Sequence, residues 1–190
     1  ISTSDLVEKI KLRNDENMNL RGGMNTYSGI MWYNSKEGLK VYWSTTGINE
    51  RSFVVSALWD GKKAEFGSML EYEGSPMSFL ALPNEILISK EKSKEYLYVV
   101  LNGNNNVLKQ DLNSGKTIWK VDTGVAPYGL TMASGKLYVT NWAGRNPEAD
   151  DKDVAGVPWG LARVDNKTAG GATREGSVTV VDPANGRIIK

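Results

Sequence analysis

The residues best suited to chemistry lie in the segment 142–175, where acidic, basic and aromatic side chains occur close together. Its acidic residues include Asp150, Asp151 and Asp153. A hard cation such as Ca²⁺ requires several oxygen ligands, and the run 151–156 begins as an EF-hand loop does. However, Ala155 and Ala162 stand where that loop needs oxygen ligands. We therefore predict a solvated acidic loop and no cofactor, with the three aspartates as the alternative metal ligands.

The same segment carries aromatic rings beside guanidinium groups. An exposed aromatic ring next to an arginine can bind a sugar or an anionic ligand. The candidate ligand-binding residues are Asn141, Trp142, Arg145, Trp159 and Arg163. The alternative is that Trp142 packs against the base of the loop while Arg145 pairs with the acidic residues of the loop.

Other chemistry is limited by what the chain lacks. It contains no cysteine and no histidine, which excludes disulfides, Cys/His zinc sites and histidine-based catalytic triads from these residues. The net charge is +1, with 23 basic and 22 acidic residues, so no basic excess indicates nucleic-acid binding. No apolar run reaches the roughly 18 residues of a membrane span. Gly115-Lys116-Thr117 resembles the end of a phosphate-binding loop, but no helix follows, so we predict a hairpin turn.

The elements that position these residues are indicated by internal similarity. The stretch from Lys94 to Val121 runs through a Leu-Tyr-Val strand, a turn, a strand ending in Asp, an Asn/Ser-Gly turn and another apolar strand. The same order starts again at Gly135 and, after a long gap, resumes at 176–189. Tyr98 and Tyr138 are 40 residues apart, a spacing typical of four-stranded propeller blades. A weaker copy covers 28–62.

The local composition agrees with an all-β fold. The predicted strands are short and rich in β-branched and aromatic residues, and Asn-Gly, Ser-Gly or Asp-Gly pairs separate them. We predict one β-propeller domain over 1–190, with a loop insertion at about 142–175. Without the insertion the length matches about four blades, alone or as part of a larger propeller that was shortened by cleavage. A β-sandwich is the alternative.

The residues 137–141, Leu-Tyr-Val-Thr-Asn, carry a family resemblance. With 124–130 before them and 176–182 after the gap, they resemble the YVTN (YncE-like) propeller repeat of bacterial and archaeal surface-layer-type and periplasmic proteins. The resemblance is strong over 94–190 and loose before 75. It implies an exported, periplasmic or cell-surface location and a propeller that is typically seven-bladed. It implies no catalytic residues.

The function that we expect is a non-catalytic binding or scaffolding module, so we do not expect this chain to be an enzyme. Loops on one face would bind a ligand, a partner protein or a companion domain. The stretch 141–145 with its following insertion is also similar to the propeller half of bacterial fusions to an alkaline-phosphatase-like phosphoesterase. In that alternative, the catalytic domain lies outside this chain. Exposed sheet edges make self-association a further expectation.

Overall fold

The computed structural model describes residues 24–47, 51–76, 78–152, 154–156, 163–165 and 175–190. Within these ranges the chain is built of β-strands, with one short 3-10 helix at Asn102–Asn104. The all-β prediction is therefore confirmed. No helix in the described ranges is long and apolar enough to cross a membrane.

The first sheet has four antiparallel strands in chain order. These are β1 (Met24–Ser35), β2 (Gly38–Gly47), β3 (Ser52–Trp59) and β4 (Ala64–Tyr72). Aromatic and β-branched residues occupy both faces of β2 and β3, which favours a sheet that is covered on both sides.

The second sheet repeats this arrangement. Its strands are β5 (Pro83–Glu91), β6 (Lys94–Leu101), β7 (Asn106–Asp111) and β8 (Thr117–Asp122). Between β6 and β7 the chain turns through the 3-10 helix and Asn105, whose φ of 53° is left-handed. Asparagine tolerates this conformation better than most residues, which explains a turn made of Asn and Gly.

The third sheet has three strands, in the order β13-β10-β9. Its members are β9 (Pro127–Ala133), β10 (Lys136–Asn141) and β13 (Ser177–Val181). The predicted insertion separates β10 from β13. It was expected to be a loop, but it contains a short hairpin of β11 (Val154–Gly156) and β12 (Arg163–Asp165).

The three sheets stack in sequence order, with β1 packed against β5 and β5 against β9. Between the first two sheets, Tyr42 and Val54 pack against Leu97 and Val99. Between the second and third, Val100 and Val107 pack with Leu137. The described residues form three sheets of three or four strands and one two-stranded hairpin, and no closed ring. The number of blades, about four from the length, stays a prediction.

Two connections between sheets have the same geometry. Leu82 and Ala126 both precede a proline and both have a left-handed φ, of 49° and 54°. The carbonyl of Leu82 accepts from the Asn102 amide, at 2.9 Å, and the carbonyl of Ala126 accepts from the Trp142 amide, also at 2.9 Å. The two connections therefore hold the start of one strand to the end of the next in the same way.

Two turns at the opposite end of the sheets also match. The amide of Gly115 donates to the Asp111 carbonyl, and the amide of Gly186 donates to the Asp182 carbonyl, each at 2.9 Å. Both glycines have a positive φ, of 69° and 77°, which residues with a side chain rarely adopt. The segment 115–117 is thus part of a hairpin turn, as predicted.

The first and third sheets share a third feature. The amide of Gly29 donates to the Ser44 hydroxyl, and the amide of Gly129 donates to the Thr140 hydroxyl, both at 2.9 Å. These hydrogen bonds join the first and second strand of each sheet. Gly29 and Gly129 therefore make the same local contact in their two sheets.

Candidate binding face beside the insertion

We call the insertion face the end of the sheets at which β6 and β10 end and β5 and β9 begin. The connection 123–126 crosses it between two loops. On one side the Asn105 side-chain oxygen accepts from the Ala126 amide at 2.9 Å. On the other side the Val125 amide donates to the Gly144 carbonyl at 2.9 Å. The base of the insertion is therefore fastened to the second sheet through this connection.

Trp142 is the most exposed large apolar side chain on this face, at 67%. Its ring lies 5.6 Å from that of Tyr128, with 50° between the ring planes. Tyr128 is itself 45% exposed. A tilted pair at this distance is a favourable aromatic arrangement, so the insertion face presents a preformed aromatic surface.

Asn141 was predicted to bind a ligand, but the structure places it inside the protein. It is buried, and its side-chain amide donates to the hydroxyl groups of Ser177 and Thr179, at 3.0 and 2.9 Å. These bonds join β10 to β13 across the insertion. Asn141 therefore closes the base of the loop and supports Trp142 through the backbone.

Arg145 is engaged by an acidic residue of the loop, which is the alternative that the sequence left open. Its guanidinium donates two hydrogen bonds to the Asp151 carboxylate, at 2.7 and 2.8 Å. The same carboxylate accepts from the Glu148 amide at 2.6 Å. A bidentate pair of this kind fixes the loop and sets the Arg145 charge against that of Asp151.

The other candidate residues of the insertion are less informative. Asp150 is exposed on the surface. Trp159 and Asp153 lie outside the described residues, and of Arg163 only the backbone, in β12, is described. In the described part of the chain no three His, Cys, Asp or Glu side chains come together as metal ligands would.

A group of buried amides on this face was not predicted from the sequence. The side-chain amides of Asn84 and Asn102 both donate to the Pro127 carbonyl, at 3.5 and 3.0 Å. Their side-chain oxygens are buried and have no hydrogen-bond partner in the described structure. The Asn-Gly-Asn-Asn-Asn run at 102–106 was the available signal, but it was interpreted as a turn.

A second missed feature lies at the opposite end of the sheets, which we call the turn face. The Lys109 side chain is 3% exposed. Its ammonium donates to both Glu91 carboxylate oxygens, at 2.8 and 2.9 Å, and to the Pro183 carbonyl at 3.1 Å. It lies 4.0 Å from the centre of the Tyr96 ring, a favourable cation–π position. The ion pair thus joins the second sheet to a turn of the third.

The Tyr98 hydroxyl completes this cluster by donating to Glu91 at 2.8 Å. Burial, the hydrogen bond to Glu91 and its charge raise the pKa of Tyr98 far above the usual range. Tyr98 therefore remains a neutral donor, and the cluster has a structural role between two sheets.

Comparisons with known proteins add no identification. No protein-family model matches the sequence, and no curated protein matches it significantly.

Proposed function

We propose that this chain is a non-catalytic propeller module of the YVTN repeat type from an exported bacterial protein, and that it binds a partner through the insertion face. The repeat assignment is supported by the matched connections at Leu82 and Ala126, because independent loops would not be expected to share an unfavourable backbone conformation and the same hydrogen bonds. Sheets that stack in sequence order with their first strands adjacent are also typical of propellers.

The observation that carries the binding proposal is the exposed Trp142–Tyr128 pair. Tryptophan and tyrosine dominate the binding energy of protein interfaces, because they bury a large area at a small entropic cost. The pair stands on a fixed base, since Asn141 closes the loop beneath it and Asp151 holds Arg145. With that guanidinium engaged, the surface is better suited to a neutral partner than to an anion.

The position of the pair favours a protein or a companion domain as partner. In the third sheet Pro127 pairs with Asn141, and the next residues along the chain are Tyr128 and Trp142. In the second sheet Pro83 pairs with Leu101, and the next residues are Asn84 and Asn102. Both asparagines contact the neighbouring sheet, through the Pro127 carbonyl. The aromatic pair thus occupies positions that elsewhere in this chain make contacts between β-sheets.

The test is a quantitative affinity purification from the exported protein fraction of the source cell. The bait is the wild-type chain, Trp142→Ala or Trp32→Ala. Trp32 is a matched control because it is a half-exposed tryptophan on the first sheet. We expect Trp142→Ala to weaken a specific partner by about 2 kcal/mol, as interface tryptophans do, and Trp32→Ala to retain it.

Equal recovery of every bound protein by wild type and Trp142→Ala would overturn the assignment of this face. Thermal melts of the variants provide the control for folding. Both tryptophans are exposed, so we expect melting temperatures close to that of the wild type.

A further inference from the structure

A cavity opens on the turn face between the first and second sheets, away from the insertion. Its volume is about 170 Å³, below the roughly 300–1,000 Å³ of pockets for drug-sized ligands. The walls are formed by the turn at 35–37, by Lys40 and Tyr42 of β2, and by Ser93 and Glu95. Its size matches a small metabolite.

Tyr42 contributes a polar group to the lining of this cavity. The residue as a whole is 5% exposed, and its hydroxyl has no hydrogen-bond partner among the described residues. The hydroxyl is not one of the buried polar atoms that lack a partner, so it keeps accessible surface and can bind a ligand. Burial and the charges of Glu95 and Glu37 raise the pKa of Tyr42 to about 12, so this hydroxyl is a neutral donor near two carboxylates.

The interface between the second and third sheets shows what normally fills this position. In the strand register, Tyr42 pairs with Met31 and Ser56, and Tyr98 pairs with Leu87 and Lys109. Ser56 therefore occupies in the first sheet the position that the lysine has in the second. By the same count Ser35, four residues after Met31, corresponds to Glu91.

The two interfaces differ at these positions. At the second interface the Tyr98 hydroxyl donates to a carboxylate, and that carboxylate pairs with a buried ammonium. At the first interface serines stand at both positions, so Tyr42 has no counterpart of this ion pair. The charged groups that line the cavity are Lys36, Glu37, Lys40 and Glu95 instead.

The walls of the cavity carry equal numbers of positive and negative groups. Lys40 pairs with Glu37 at 2.7 Å, and Glu37 is largely exposed. One Glu95 oxygen accepts from the Tyr33 hydroxyl at 2.7 Å, and the other has no partner in the described residues. With Lys36, the walls carry two ammonium and two carboxylate groups. A ligand with a single charge would leave one sign unmatched.

We propose that this cavity binds a small zwitterion of the α-amino-acid type. The ligand carboxylate accepts from the Tyr42 hydroxyl and contacts the ammonium of Lys40, with Lys36 at the rim. The ligand ammonium contacts Glu95, whose second oxygen faces no other donor. This site does not depend on the binding proposed for the insertion face.

The experiment is a titration of the ¹⁵N-labelled chain, followed by amide chemical shifts. The probes are L-serine, ethylamine and propionate, which carry both charged groups, the amine alone and the carboxylate alone. We expect L-serine to cause saturable shifts at 35–42 and 93–95. Ethylamine and propionate should bind at least about tenfold more weakly, because each loses a charge-assisted contact.

Three variants complete the test. Lys40→Met and Glu95→Gln should each weaken L-serine by about tenfold. Glu95→Gln retains an acceptor for Tyr33 and guards against a folding defect. The control is Lys63→Met, which removes the exposed partner of Glu65 in the same sheet. The absence of saturable shifts with L-serine, equal affinity for ethylamine, or an equal effect of Lys63→Met would overturn the proposal.

Discussion

At the scale of single residues, burial decides which polar groups have a structural role. From the sequence alone, Lys109 and Asn141 are expected on the surface, because their residue types are usually exposed. The structure buries both, and it does so only because each finds partners across a strand or sheet boundary. Arg145 is the opposite case, since its pairing with an acid of its own loop was one of two expectations from the sequence.

Tyr42 provides a prediction on pH at this scale. Its pKa is raised to about 12, above the value of about 10 for an unfolded tyrosine. The unfolded chain therefore ionises first, and the stabilisation that is present below pH 10 is lost as the pH rises through 12. We expect Tyr42→Phe to lose about 1 kcal/mol less of its unfolding free energy at alkaline pH than the wild type does. This value is smaller than the full pKa difference implies, because the cavity admits water.

Urea unfolding at pH 8 and pH 11 measures this effect. Tyr128→Phe is the control, because Tyr128 is exposed on the surface. An alkaline loss of stability that is the same in Tyr42→Phe and in the wild type would show that Tyr42 does not titrate as the structure indicates.

At the scale of elements, the turns determine strand register, and their glycines were readable in the sequence. Ser134-Gly135 joins β9 to β10, and both residues have a positive φ, of 47° and 70°. Turns of this kind match the twist of a hairpin. Such local rules act within a few residues, which is why the sequence was sufficient to predict the turns at 115 and 186.

Gly135→Ala should therefore destabilise the protein by about 1 kcal/mol, the cost of a left-handed residue with a side chain. No atom lies within 4 Å of the added methyl group, so the change isolates the backbone term. Gly176→Ala is the matched control, because its φ is not positive and its nearest contact is an ordinary 3.5 Å.

Urea denaturation of the two variants gives the comparison. The control should stay within about 0.5 kcal/mol of the wild type. An equal loss in both variants would contradict a conformational origin of the effect.

At the scale of the whole molecule, contacts between sheets hold the fold together. The apolar clusters supply most of the buried area, and the Lys109–Glu91 pair adds a polar connection from the second sheet to the turn at Pro183. A buried ammonium that loses its counter-charge destabilises the folded state. The two halves of the pair should therefore respond differently to substitution.

We expect Glu91→Gln to destabilise the protein by about 2 kcal/mol, because it leaves the ammonium beside a neutral amide. This is below the cost for a fully buried pair, since Glu91 is 41% exposed. Lys109→Met should cost less, because the apolar side chain fits among the aromatic rings and the carboxylate can hydrate. Lys63→Met, which breaks an exposed pair, should change stability by less than about 0.5 kcal/mol.

The unfolding free energies of the three variants show whether the unpaired ammonium or the unpaired carboxylate costs more. A ranking in which Lys109→Met costs more than Glu91→Gln would show that packing of the lysine stem, rather than the stranded charge, dominates at this interface.

The sequence by itself determined the strands and turns of 94–141 and the place of the insertion, because these follow from side-chain alternation and local turn chemistry. It left the role of Trp142 and Arg145 open between two expectations. Only the tertiary structure decided that Asn141 is internal, that Lys109 is buried, and that a cavity opens at Tyr42. These outcomes depend on residues distant in sequence, such as Thr179, Pro183 and Glu95, and no local rule specifies which of them meet.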